Sequence, residues 1–85
     1  KMAQLGIGVS TQYDESIMTN VDTHQLALRS EVLAAISEFS EEDVAGKTGR
    51  DNLAKSIQNA LNEKLVELEG FGGIEHVHFT SFIIQ

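Results

Sequence analysis

The sequence predicts an α+β fold: two helices plus a short helical turn packed on a small, mainly antiparallel sheet. Three observations predict it. Leu5, Ile7, Val9 and Thr11 alternate with Gly6, Gly8 and Ser10, the period of a strand with one buried face. Two longer segments then repeat apolar residues at helical spacing. Residues 74–85 close the chain as an apolar, β-branched and aromatic run, Ile74-Glu75-His76-Val77-His78-Phe79-Thr80-Ser81-Phe82-Ile83-Ile84-Gln85. Most domains end in a loose terminus. This one ends on a core strand.

The first strand carries two glycines on its second face. They leave room for close packing there, or simply weaken the strand. Asp14-Glu15-Ser16 offers helix-start chemistry. Ile17, Val21, Leu28, Val32, Ala35 and Phe39 then fall on one narrow helical stripe, widened by Ile36. Leu26 and Leu33 form a second stripe on nearly the opposite side. A helix of about 24 residues with two stripes must touch two things. One is the sheet, and the other is a neighbouring helix or another subunit.

Ser40-Glu41-Glu42-Asp43 has a capping-box pattern and opens a short turn that ends near Gly46. Thr48-Gly49-Arg50-Asp51 is a second such pattern and opens the next helix. Leu53, Ile57, Ala60, Leu61, Leu65 and Leu68 make its apolar face. Lys64 sits within that arc, its stem on apolar surface and its charge in water. Gly70, Gly72 and Gly73 stop the helix. In the last strand the apolar phase slips at Thr80-Ser81, as one extra residue in a β-bulge would make it. The candidate core comprises Phe39, Leu53, Ile57, Val77, Phe79 and Phe82, with Phe79 and Phe82 buried on opposite sides of that irregularity. Two strands alone are marginal, so further strands or another subunit are expected to supply pairing.

Composition narrows the function classes. The 85 residues make a single domain, 1–85, with no internal repeat, low-complexity tract or linker, and no proline. The formal charge is −7, with 13 acidic against 6 basic residues. That argues against nucleic acid as a partner, because phosphate contacts need clustered Lys and Arg, and it disfavours anionic lipid surfaces. Cysteine is absent, which removes thiol catalysis and disulfides. No stretch approaches the roughly 18–20 apolar residues of a membrane span. The chain opens on Lys1-Met2-Ala3-Gln4 and runs straight into a strand, which favours a soluble piece of a larger protein.

No catalytic constellation emerges. Nothing resembles G-x-S-x-G, and Gly6-Ile7-Gly8 lies inside a strand rather than between a strand and a helix. His76 and His78 share one side of their strand, as in some metal sites, but a third ligand from Glu75, His24 or a helix carboxylate is not nominated. The alternative is two half-exposed residues on a solvent face, which is favoured. His24 falls within the main apolar stripe. It reads as a packed ring with a wet nitrogen, against a buried pH-responsive residue. Glu38, Glu41, Glu42 and Asp43 lack the ligand spacing and glycine of a calcium loop and read as a solvated acidic turn that could meet a basic segment. Leu26, Leu33 and Val66 are the candidate interaction surface. For the two leucines, packing between helices of one subunit is the alternative.

Four segments resemble the flagellar basal-body-associated FliL family. Val77-His78-Phe79-Thr80-Ser81-Phe82-Ile83-Ile84-Gln85 matches its terminal V-x-F-T-x-F-x-x-Q. Leu28-Arg29-Ser30-Glu31-Val32-Leu33 looks like its apolar-Arg helix segment. Gly49-Arg50-Asp51-Asn52-Leu53 fits Gly-[KR]-x-x-L, and Ile57-Gln58-Asn59-Ala60-Leu61-Asn62 fits I-x-x-x-L-N. The likeness spans roughly residues 5–85. His24-Gln25-Leu26-Ala27 departs from it, since many members have a proline there. The family's transmembrane helix, cytoplasmic stub and the strand that usually precedes residue 5 are missing, in keeping with a piece of a longer chain.

The resemblance implies a periplasmic domain of a single-pass inner-membrane protein at the flagellar basal body, similar in fold to stomatin and prohibitin (SPFH) domains. It implies a non-enzymatic accessory of the flagellar motor with no cofactor or metal. The implied partners are the stator proteins, MotA and MotB or their sodium-type equivalents, and further copies of itself in a homo-oligomeric ring that supports torque and swarming. Two other classes stay open. One is a small adaptor that binds a peptide by strand addition. The other is a metalloenzyme built on His76 and His78.

Overall fold

The computed structural model describes residues 3–13 and 15–84, with side chains for residues 6–13 and 15–82. Its order is β1 (Ala3–Ser10), α1 (Glu15–Thr23), α2 (Gln25–Ser37), α3 (Lys47–Glu69) and β2 (His76–Ile84). The fold is α+β, with three helices packed on a two-stranded antiparallel sheet. The sequence expectations that rest on Asp14 and Gln85 lie outside the described residues. So does the side chain of Ile84.

The predicted bulge is present. Gly6 pairs with Ser81 and Ile7 with Phe79, so Thr80 is the extra residue. An inserted residue restores the alternation that a plain strand would lose. The rings of Phe79 and Phe82 therefore meet edge to face, with centroids 5.1 Å apart. On the other face of the sheet, the His78 ring lies across Gly8 and the Thr80 hydroxyl across Gly6, where any Cβ would collide with them. The two glycines admit these close cross-strand neighbours.

The single helix of about 24 residues expected here is two helices, α1 and α2. His24 sits between them at φ −108° and ψ 27°, outside helical geometry. The helical hydrogen bonds from the His24 amide to Asn20 and from the Leu28 amide to His24 nevertheless continue across the break. The apolar stripe keeps its period through this bend, so periodicity alone did not register it. The His24 ring reaches Glu69 at the end of α3, with Nε2 2.6 Å from Oε2.

The Ser40-Asp43 capping box is reciprocal. The Ser40 amide donates to Asp43 Oδ2 at 2.8 Å, and the Asp43 amide donates to Ser40 Oγ at 3.2 Å. The second expected box is not made. α3 starts at Lys47, with Gly46 as an N-cap that makes no side-chain bond. Asp51 accepts from Lys47 Nζ at 2.8 Å instead. Gly70 ends α3 in the left-handed region at φ 82°, where its amide donates to the Val66 carbonyl.

The helix that lies against the sheet is α3, and α2 packs on α3. The main stripe of α2 therefore faces a neighbouring helix, and neither stripe of α2 meets the sheet, as one of them was expected to. Ile17, Leu28, Ala35, Val44, Leu53, Ile57, Leu61, Leu65 and Ile74 form the buried cluster, with Ile57 and Leu65 at 0 % exposure. Phe39, Val77, Phe79 and Phe82 are half-buried and pack against this cluster rather than within it. A two-layer sheet and helix arrangement this small leaves one side of each β2 aromatic near solvent.

Candidate functional site

The three candidate interaction residues all point outward. Leu26 is 82 % exposed, Leu33 68 % and Val66 54 %. Leu26 and Leu33, seven residues apart, lie on one face of α2, and Val66 lies on α3. Packing between α2 and α3 uses their opposite stripes, so neither leucine is held between helices of this chain. Apolar side chains at such exposure gain by being covered, at roughly 25 cal/mol per Å² of apolar surface removed from water.

A second surface runs along β2. Its floor is Val77, Phe79 and Phe82, and its wall is Arg50 and Ala54 from the first half of α3. The groove encloses about 450 Å³. Val77 and Phe79 line it from the inner face of β2 and His78 from the outer face, while none of the described side chains of β1 contributes. It therefore opens on the edge of β2 that β1 does not occupy. Arg50 lies over the Phe82 ring, with its guanidinium carbon 4.4 Å from the centroid. Arg50 Nε donates to the Val44 carbonyl at 3.3 Å. At the rim, the hydrogen bond to Asp51, and then its charge, hold the Lys47 ammonium above its ordinary value.

Side-chain amides fasten the start of β2. Asn62 Nδ2 donates to the Ile74 carbonyl at 2.8 Å, and the Ile74 amide donates to Asn62 Oδ1 at 2.8 Å. Gln58 Nε2 donates to the carbonyls of Ile74 and Glu75 at 3.1 and 2.9 Å. Thr11 Oγ1 donates to the Gly73 carbonyl at 2.7 Å, and the Gln12 amide donates to Glu75 Oε1. These polar groups are spent on the backbone, and the cleft beside them is a structural joint.

His76 and His78 are both exposed. Among the described residues, no group of three or more His, Asp or Glu side chains is placed to hold a metal ion. His24 is half-buried and tied to Glu69. Glu38, Glu41, Glu42 and Asp43 are exposed, with Asp43 engaged in the capping box. No helix among the described residues is long and apolar enough to cross a membrane.

Sequence reasoning missed two features. Tyr13 and Phe71 stack edge to face at 5.1 Å while both stay exposed, at 57 % and 47 %. They lie 58 positions apart in loops, and no local pattern links them. Arg50 over Phe82 is equally non-local. A basic residue one turn before an apolar helix face is a weak hint of such stacking.

The family motifs acquire physical roles here. Gly49 lets α3 approach the backbone of the preceding turn, since a Cβ there would fall on the Asp43 carbonyl. Arg50 ties that turn to the helix and Leu53 enters the core. Ile57 and Leu61 are buried, and Asn62 locks the start of β2. The family model of the flagellar basal body-associated protein FliL matches residues 1–85 of the chain. No curated protein sequence matches it.

Proposed function

The chain belongs to the FliL family of flagellar basal body-associated proteins, and from that premise we propose that it is an assembly module of the flagellar motor. Membership gives it an accessory role in the motor. In the reading proposed here, copies of this domain stand in the periplasm, each tethered by an inner-membrane helix of the full protein. They associate around the stator units and support torque and swarming. The single 1–85 domain is the assembling unit, and it catalyses nothing.

The outward apolar residues Leu26, Leu33 and Val66 carry this reading furthest. A membrane anchor would confine copies to two dimensions and raise their effective concentration, so that a weak contact between them suffices. Leu33→Glu in the membrane-anchored protein tests it. The variant should fold like the parent by circular dichroism, and it should impair both assembly and motility. A variant that is folded, assembled and fully motile would remove this face from the account.

A further inference from the structure

We propose that the groove along the free edge of β2 is a docking site for an extended acidic segment of a partner protein, which adds a strand to the sheet and places a carboxylate on Arg50. This goes beyond the assembly reading and uses a different surface. The first observation is the edge itself. β2 pairs only with β1 among the described residues, so its other side offers a row of backbone donors and acceptors. The groove between that edge and α3 leaves space for a chain to lie there.

The second observation is the state of Arg50. It forms no ion pair with a carboxylate among the described residues, whereas Lys47 beside it is matched by Asp51. The Phe82 ring beneath it and the Nε bond to Val44 hold the guanidinium plane in place. Its Nη nitrogens, which bind a carboxylate in a bidentate fork, make no hydrogen bond among the described residues. On a chain of net charge −7 an acidic segment is repelled in general, so a fixed cation beside an open edge gives it a specific address.

The third observation identifies the occupant. In an added strand, residues two apart face the same side. One inward position would reach Val77 and Phe79 and would be apolar. Another would reach Arg50 at the Phe82 end and would be Asp or Glu. The strands of a second copy cannot supply this. β1 reads Ala-Gln-Leu-Gly-Ile-Gly-Val-Ser and β2 His-Val-His-Phe-Thr-Ser-Phe-Ile-Ile, and neither contains a carboxylate. Pairing with β1 or β2 of a second copy would leave Arg50 unmatched, which favours a segment of another protein as the occupant.

Selection from a displayed library of random nine-residue peptides, with the protein as bait, tests the proposal. Selected peptides should alternate apolar residues with Asp or Glu, and they should shift the amide resonances of residues 77–82. Arg50→Gln should weaken the best of them about tenfold or more, the scale of a charge-assisted hydrogen bond. Ala54→Glu sets a carboxylate one helical turn from Arg50, in cis, and should compete the peptide away while the fold is retained. Leu33→Glu should leave peptide binding unchanged, which separates this site from the assembly face. The proposal is overturned by selection that yields no binder or no acidic preference. Binding indifferent to both groove variants, or shifts outside the groove, would also overturn it. So would a monomer–dimer equilibrium that responds to Arg50→Gln, since the occupant would then be a second copy.

Discussion

Replacing Asn62 by alanine should destabilise the chain out of proportion to the size of the change. The side chain both accepts from and donates to the backbone of Ile74, each at 2.8 Å. Ile74 is 3 % exposed, so water cannot replace the lost partner. Its carbonyl keeps the bond from Gln58, but its amide is left unsatisfied. An orphaned buried donor costs about 1–3 kcal/mol, and the second lost bond adds roughly 1 kcal/mol. The expected loss is about 2–4 kcal/mol, out of roughly 5–15 kcal/mol for a whole domain. For a chain of this size 1 kcal/mol moves Tm by about 4–8 °C, so thermal melting should fall by roughly 10–30 °C. Hydrogen exchange localises the effect, because the Ile74 amide should lose its protection before the core of α3 does. Melting within about 2 °C of the parent, with the Ile74 amide still protected, would refute the reasoning.

Other positions give equally definite outcomes. Gly49→Ala drives a methyl group onto the Asp43 carbonyl, so the turn and the start of α3 must separate, and Tm should drop by more than 10 °C, an effect on the order of 2 kcal/mol or more. Phe82→Ala removes a half-buried ring, its contact with Phe79 and the seat of Arg50; a cost of about 2–3 kcal/mol in chemical denaturation is expected, below the roughly 3–5 kcal/mol of a fully buried phenylalanine. Deleting Thr80 removes the bulge residue and sets Phe82 two positions after Phe79, on the same face of a plain strand, so the two-dimensional NMR spectrum should keep the dispersion of a packed sheet. Leu33→Glu lies on the surface and should change the stability of the isolated domain by no more than about 0.5 kcal/mol.

The elements that local chemistry specifies were legible in the sequence. The helical stripe from Leu53 to Leu68 announced a buried face; Ile57 and Leu65 are fully buried in it, while Leu68 at its end stays exposed. The phase slip at Thr80 announced the bulge, because a period of two cannot skip a residue silently. The reciprocal bonds of Ser40 and Asp43 follow from the spacing of a capping box. What escaped was set mostly by distant partners. His24 leaves helical geometry where its ring meets Glu69, 45 residues away. Asp51 bonds Lys47 rather than an amide of the first turn, since the helix starts one residue before Thr48. The stacking of Arg50 on Phe82 and of Tyr13 on Phe71 depends on how β2 and the loops return to α3. Of the surfaces, Leu26 and Leu33 were visible as a second stripe. The groove was not, because half of it comes from the strand and half from the helix.

Site-directed crosslinking in motile cells tests the assembly account most directly. These 85 residues contain no cysteine, so a thiol introduced at Leu33 is the only one in this domain. A second variant with cysteine at Glu42, exposed in the acidic turn, serves as the reference. In cells that express the membrane-anchored protein, the account predicts covalent adducts from position 33, either between copies or with stator proteins, and far fewer from position 42. Adducts from Glu42→Cys with none from Leu33→Cys, in variants that swim normally, would contradict the claim that this outward face builds the motor-associated assembly.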